Sequence, residues 1–369
     1  MKLTDDIRHH VFARGLNARI HAAAELRRRY RLMSFCHSHA LAIARHGLVA
    51  MLPPQIELIH GPGCPECVLP ASRIDRMIDL ARTHDVTLCV SDAMLRVPGA
   101  RHANLLEARM AGADIQVPGT IGDALALACA QPHREIVYVA AGFETAAPAT
   151  AEALIDARAL GCANFNVLSD HVLTPAAMRH LVADDGIGER VQINGFIAPS
   201  HVSEVIGVTP YRSISGDFVK PVVIAGPQAI DVLQAVLMLV GQINECRADT
   251  ENQYTRAVTE AGDTNAQRLM EEVFEVRESF VWRGLGAVPR SALALRSAFA
   301  QWDAERRYPL MWGESATDSA AADAPALAAH GHASAICTPF TPLGARLAGN
   351  VDIRVNGCVG REHFGARAS

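Results

Sequence analysis

Aromatic side chains are scarce in this 369-residue chain, only 5% of it, and no stretch interleaves them with lysine and arginine. Basic residues do not outnumber acidic ones: 34 Lys and Arg face 39 Asp and Glu, for a net charge of -5. A nucleic-acid surface is therefore not expected. The densest cationic cluster, Arg27-Arg28-Arg29 with Arg31, reads as the solvated end of an N-terminal helix. Long apolar runs are also missing. The best stretch, 222–243, is interrupted by Pro227, Asp231 and glutamines, which excludes it as a membrane span. Residues 1–19 carry scattered charges and no apolar core of a secretion signal. The expected compartment is the cytoplasm, where nine cysteines should be reduced and clustered ones point to metal or redox chemistry.

What is present is a rhythm. Short β-rich runs alternate with amphipathic helices from about residue 55 to about residue 225. Runs at 55–60, 86–90, 114–117, 135–140, 164–169, 192–198 and 222–225 read as strands, with helices between them. Alternation of this kind predicts an α/β fold with parallel sheets covered on both faces. Val117-Pro118-Gly119 offers a break between two α/β units. Past Pro227 the pattern turns helical, at 227–246 and 264–277, and 316–335 is an aperiodic Ala/Asp/His/Ser-rich stretch.

The chemistry-bearing residues fall in loops after the strand runs, where open α/β sheets bind ligands. In HGPGCPECVLP (60–70), Gly61 and Gly63 permit tight backbone turns, and Cys64 and Cys67 place two sulfurs on one turn. The spacing suits either a redox dithiol or a metal chelate, and two sulfurs alone cannot complete a structural zinc site. Cys36, with His37 and His39 beside it, opens a second helix, a position that favours the thiolate. In GFETAAPAT (142–150), Glu144 can relay a proton and Thr145 can bond a ligand, or Thr145 can cap the helix with Glu144 as dipole partner. Asp92 and Arg96 follow the 86–90 strand as either an ion pair or site residues. His201 and His171 follow two further strands, each more simply read as hydrogen-bonded structural residues. Several polar loops at one sheet edge suggest a shared cleft.

Taken in order, the motifs C-x-x-H (36–39), A-I-x-R-H-G (42–47), G-P-G-C-P-x-C-V (61–68), D-x-M-x-R-V-P-G (92–99), G-F-E-T-x-A-P-A (142–149), H-V-S (201–203) and W-R-G-x-G-x-x-P (282–289) closely resemble the HypD family of [NiFe]-hydrogenase maturation proteins. The resemblance implies two Rossmann-like units and a mostly helical third domain built from the N-terminal helix and the C-terminal region. On that pattern the expected division is 1–35 as an N-terminal helix packing on the C-terminal domain, 36–118 as the unit with Cys36 and the CxxC loop, 119–225 as the unit with the GFET loop, and 226–369 as the C-terminal domain. It further implies a metallocofactor assembly scaffold rather than a conventional turnover enzyme. Iron would be held at Cys36, with Cys64 and Cys67 as redox or ligating neighbours, while its CO and two cyanide ligands are installed. Glu144 and Thr145 would serve the chemistry, and His39, Gly61, Gly63, Asp92 and His201 would line the site. The implied partners are a HypC-type small chaperone and a HypE-type cyanide donor. The family also implies a [4Fe-4S] cluster near the C-terminus. Here the chain departs, because only Cys337 and Cys358 follow Cys246 and a cubane normally takes four thiolates. A thiol–disulfide oxidoreductase using Cys64 and Cys67 alone, and a cluster-free paralogue acting as a protein-binding scaffold, are the competing readings.

Overall fold

The computed structural model describes residues 2–183 and 192–309, with side chains from Val11 onward. Two parallel sheets organise it. The first contains β1 (Tyr30–Ser34), β2 (Ile56–His60), β7 (Gly195–Pro199), β8 (Val222–Ala225) and β9 (Thr250–Asn252), in the order β2-β1-β7-β8-β9. The second contains β3 (Val86–Cys89), β4 (Ile115–Gln116), β5 (Glu135–Gly142) and β6 (Phe165–His171), in the order β4-β3-β5-β6. β3, β6, β7 and β8 are buried along their whole lengths, as expected of strands covered on both faces.

Helices cover these sheets. α1 (Lys2–Ala23) lays Leu16 and Ile20 into one core with Leu32, Leu58 and the apolar face of α12 (Ala229–Asn244). α2 (His37–Arg45) and the one-turn α3 (Leu48–Met51) and α4 (Pro65–Val68) sit near the ends of β1 and β2. α5 (Ala71–Thr83), α6 (Leu105–Met110), α7 (Ile121–Ala130) and α8 (Ala147–Leu160) flank the second sheet. α7 starts with a full capping box: Asp123 N–H donates to the Thr120 hydroxyl, and Thr120 N–H donates back to the Asp123 carboxylate. α9 (Thr174–Ala183), α10 (Ser200–Ile206) and α11 (Arg212–Phe218) follow β6 and β7. After α12 come α13 (Thr264–Val273), two short antiparallel pairs and α14 (Ala304–Arg307). The pairs are β10 (Phe274–Val276) with β13 (Leu293–Leu295), and the hairpin β11 (Ser279–Trp282) with β12 (Gly286–Pro289).

The α/β class with parallel sheets is as the sequence predicts, but the chain is partitioned differently. The break at 117–119 does not separate the sheets. Strand 115–116 pairs with 86–89, 86–89 with 135–142 and 135–142 with 165–171, whereas 56–60 pairs with 30–34, and 30–34 pairs in turn with 195–199. The chain leaves the first sheet after β2, builds the second, and returns with β7. Residues 1–35 are not helix alone either, for Tyr30–Ser34 is a central strand. Its arginine-rich approach hides it, since Arg31 turns outward to pair with Glu57 at 2.9 Å. Between 245 and 309 the chain is less helical than expected. α13 stops at Val273, and the remainder of the 264–277 run extends as β10. Cys337 and Cys358 lie outside the described residues.

A buried ionic network ties these parts together. Arg73 on α5 meets Asp170 on β6 at 2.5 Å and Glu305 on α14 at 2.7 Å, and Arg277 meets Glu305 at 2.9 Å. Asp170 is wholly buried. Removing one partner of such a pair leaves the other charge without compensation in a poorly solvated place, so Asp170→Ala should cost about 3–5 kcal/mol, read as a lower urea midpoint.

Candidate functional site

Three neighbouring parallel strands deliver three loops to one edge. Ser34, the last residue of β1, aligns with His60, the last of β2, and with Ile197 of β7. The ladder runs one step further, with Gly61 N–H donating to Ser34 O at 2.8 Å and Phe35 N–H to Ile197 O at 3.1 Å. Cys36 therefore emerges between the CxxC loop and the first turn of α10, which carries His201.

The two glycines are needed here for proximity. Neither Gly61 nor Gly63 has a positive φ, so the tight-turn conformation expected of them is not their role. A Cβ on Gly61 would sit 2.9 Å from Ser34 O, and one on Gly63 would sit 2.8 Å from His37 N and 2.9 Å from the Cys36 carbonyl carbon. The CxxC loop thus lies directly on the backbone of Cys36, closer than any side chain allows. Gly63→Ala should cost about 1–3 kcal/mol through overpacking. It should also make Cys36 more reactive towards a thiol reagent than in the unmodified chain, as the loop is pushed off it.

Cys36 precedes α2 with extended backbone and is 1% exposed. Its sulfur lies 3.8 Å from His201 Nδ1. Burial pulls the His201 pKa down to about 4, so this imidazole is neutral at pH 7 and has a lone pair to offer a proton or a metal. Cys64 and Cys67 are partly exposed and joined as a disulfide, with Cα atoms 5.3 Å apart. The Glu66 carboxylate lies between them in sequence and 3.7 Å from Cys64 Sγ, with Ser91 from the loop after β3 donating to it at 3.5 Å. Burial holds the Glu66 pKa above its usual range. Among the described residues, no group of three or more His, Cys, Asp or Glu side chains is arranged around a metal position. In the oxidised pair neither sulfur is a thiolate, so the expected three-cysteine ligand set is not assembled in this state.

The remaining predicted residues divide. Both nitrogens of His39 are engaged: Nδ1 with Ser34 Oγ at 3.0 Å and Nε2 with Ala225 O at 3.1 Å. It pins α2 to the ends of β1 and β8, offers no free nitrogen to a ligand, and burial lowers its pKa to about 4. Asp92 is exposed, and no Asp92–Arg96 ion pair forms among the described residues. Thr145 is exposed and does not cap α8, whose cap residue is Ala146. His171 bonds Thr150 Oγ1 at 3.0 Å within the core.

Glu144 is buried and accepts from Thr174 N–H at 2.7 Å and Thr174 Oγ1 at 2.9 Å. One flank of it borders a cleft of about 670 Å³ between α9, α13 and β10. Tyr211, which sequence reasoning missed, stands behind it. Tyr211 is fully buried, its pKa is raised by burial and by the neighbouring charges of Glu144 and Cys36, and its hydroxyl accepts from Ser203 at 3.2 Å. Tyr211 thus feels the charge of both Glu144 and Cys36. No sequence signal marks Tyr211, because it lies outside every motif.

Desolvation raises the Glu144 pKa from 4.5 to about 7, against the pull of the Thr174 hydrogen bonds. A carboxyl with a raised folded-state pKa supports stability fully below its unfolded value, and that support is lost as pH rises through the folded one. Stability should fall by about 3 kcal/mol from this group as pH rises from about 4.5 to about 7. Glu144→Gln should remove that part of the slope in denaturation midpoints measured across the range.

A family model described as "HypD: Hydrogenase formation hypA family" matches residues 11–348. The chain belongs to the HypD family. Among similar proteins, the hydrogenase expression/formation protein HupD of Azotobacter chroococcum mcd 1 is 47% identical, over 94% of this chain and 93% of that protein. The hydrogenase maturation factor HypD of Azotobacter vinelandii is 46% identical over the same shares. That of Rhizobium leguminosarum bv. viciae is 45% identical, over 94% and 92%. The motif loops at this sheet edge are therefore those of a HypD-family chain.

Proposed function

We propose that this protein is a HypD-type scaffold of hydrogenase maturation, working in the cytoplasm. Its cargo is iron, held at Cys36 while cyanide and carbon monoxide ligands are installed. A HypC-type small chaperone and a HypE-type cyanide donor are its partners. The observation that carries this reading is the contact of Gly63 with the backbone of Cys36 and His37, which sets a redox-capable pair beside a buried thiol at one sheet edge. Soft thiolate suits low-spin iron. The pair can also act as an electron donor, since Cys64 and Cys67 release two electrons and two protons on passing from dithiol to disulfide. Neutral His201, 3.8 Å from Cys36 Sγ, and partly buried Glu66, 3.7 Å from Cys64 Sγ, can accept protons there. Among the described residues no helix is long and apolar enough to cross a membrane.

A resident [4Fe-4S] cluster does not fit the donor set. Cys246, the last described cysteine, is exposed, and only two others follow it in the chain, short of the four thiolates a cubane normally takes. The electrons of the dithiol must then come from outside the chain. One observation favours a second reading, an oxidoreductase acting without iron: Cys64 and Cys67 are paired with each other in a disulfide that takes in no other cysteine.

Infrared spectroscopy of the complex copurified with a HypC-type partner separates the two. We expect cyanide and carbonyl stretches in the unmodified complex and their loss in Cys36→Ala. A folded complex with no such bands, together with dithiol turnover in the absence of iron, would sink the scaffold reading in favour of the oxidoreductase.

A further inference from the structure

The W-R-G-x-G-x-x-P stretch holds neither iron nor protons in the scaffold reading, yet it forms the tip of the β11–β12 hairpin. The strands pair from Ser279–Pro289 to Trp282–Gly286, and Gly284 and Gly286 take positive φ values of 82° and 79° to close the turn. That conformation leaves Arg283 pointing off the hairpin, and it is only 2% exposed.

Its contacts converge on the CxxC turn. Arg283 N–H donates to Val68 O at 2.7 Å, Nε to Leu69 O at 2.8 Å, and Nη2 to Pro98 O at 3.2 Å in the R-V-P-G loop. α4 is a single turn, so its last carbonyls have no following helical turn to bond them. Arg283 supplies those partners instead, its backbone N–H to Val68 and its guanidinium to Leu69, and that planar group also reaches the R-V-P-G loop, which a lysine ammonium cannot imitate. The next residue back is fixed as firmly. Trp282 is fully buried, donates Nε1–H to Ser291 Oγ at 2.9 Å and lies 6.4 Å, centroid to centroid, from Phe143 of the GFET loop. The hairpin tip is thus a strut touching both motif loops.

We propose that Arg283 is the positioning residue of the Cys64–Cys67 couple: by bridging the carbonyls of Leu69 and Pro98 with its guanidinium it holds the turn in the form where the two sulfurs meet, and so sets how readily the pair is reduced. This rests on the reading that the pair cycles. The couple is balanced as disulfide plus two electrons and two protons giving two thiols, with a small dithiol such as dithiothreitol as reductant, itself closing to a cyclic disulfide. Arg283 acts through the turn and not on the sulfurs themselves. It raises the effective concentration of one sulfur at the other, as any restraint that preorganises a ring closure does, and this favours the disulfide.

The test is the midpoint potential of Cys64–Cys67 in the full chain. The chain is equilibrated in glutathione and dithiothreitol redox buffers, and the 64–67 peptide is read by alkylation and mass spectrometry. In Arg283→Met the equilibrium constant for reduction should rise about tenfold, or about 30 mV for a two-electron couple. Arg283→Lys keeps the charge but loses the fork, so it should move the same way. It also keeps the test decisive if the methionine variant does not fold. Wild-type potentials in a variant with an intact unfolding transition would overturn the proposal. A lysine variant at the wild-type value beside a shifted methionine variant would also overturn it, since charge and not grip would then be at work. A wild-type pair that does not titrate reversibly refutes the cycling dithiol itself, a failure visible before any variant is made.

Discussion

The parallel pairing of β1 between β2 and β7 is the constraint on which the site depends. Because all three strands run the same way and end within a residue or two of each other, their following loops leave from one edge. Antiparallel neighbours would have sent alternate loops to opposite ends of the sheet. The ladder bonds past the strand ends, through Gly61 and Phe35, then bring two of those loops to van der Waals distance. Hydrogen-bond register thus fixes the position of Cys36 relative to the CxxC turn more tightly than any side-chain contact does.

Burial is the second organising influence, and it acts on charge. His39, His60 and His201 are all drawn to about 4 by desolvation, with His37 beside His60 adding to its fall. The surroundings of Cys36 are therefore rich in imidazole and poor in imidazolium. Neutral rings can accept protons or ligate, but they do not supply the positive charge that stabilises a thiolate. The buried charge of Arg73 is paired, with Asp170 and Glu305.

Much of the fold was legible because buried parallel strands and amphipathic helices write their periods into the sequence. β2, β3, β5, β6 and β8 fall within a few residues of their expected positions. β1 was not legible. Its five residues follow a cluster of arginines, and its burial comes from neighbours 26 and more than 160 positions away in the chain. For the same reason the two sheets could not be divided at Pro118: strand order is a fact about pairing, and composition at a linker does not report it. At the candidate site, Cys36, Cys64, Cys67 and His201 were picked out from their places after strands, and the structure brings them to one sheet edge. That both nitrogens of His39 are bonded within the fold, and that Thr145 faces solvent and does not cap its helix, was not legible, because local sequence cannot say whether a polar group is already bonded or faces solvent.

By itself the sequence determined the class of fold, the family, and the three sulfurs with their place after strand ends, since each rests on local pattern and motif spacing. Only the tertiary structure decided which loops meet. It showed that Gly61 and Gly63 serve close approach and not turn geometry, that Tyr211 is buried against Ser203, and that Arg283 bonds the carbonyls at the end of the CxxC turn. All of these depend on contacts between residues far apart in the chain. Which of those contacts form is set by sheet pairing and packing, and no single segment encodes them.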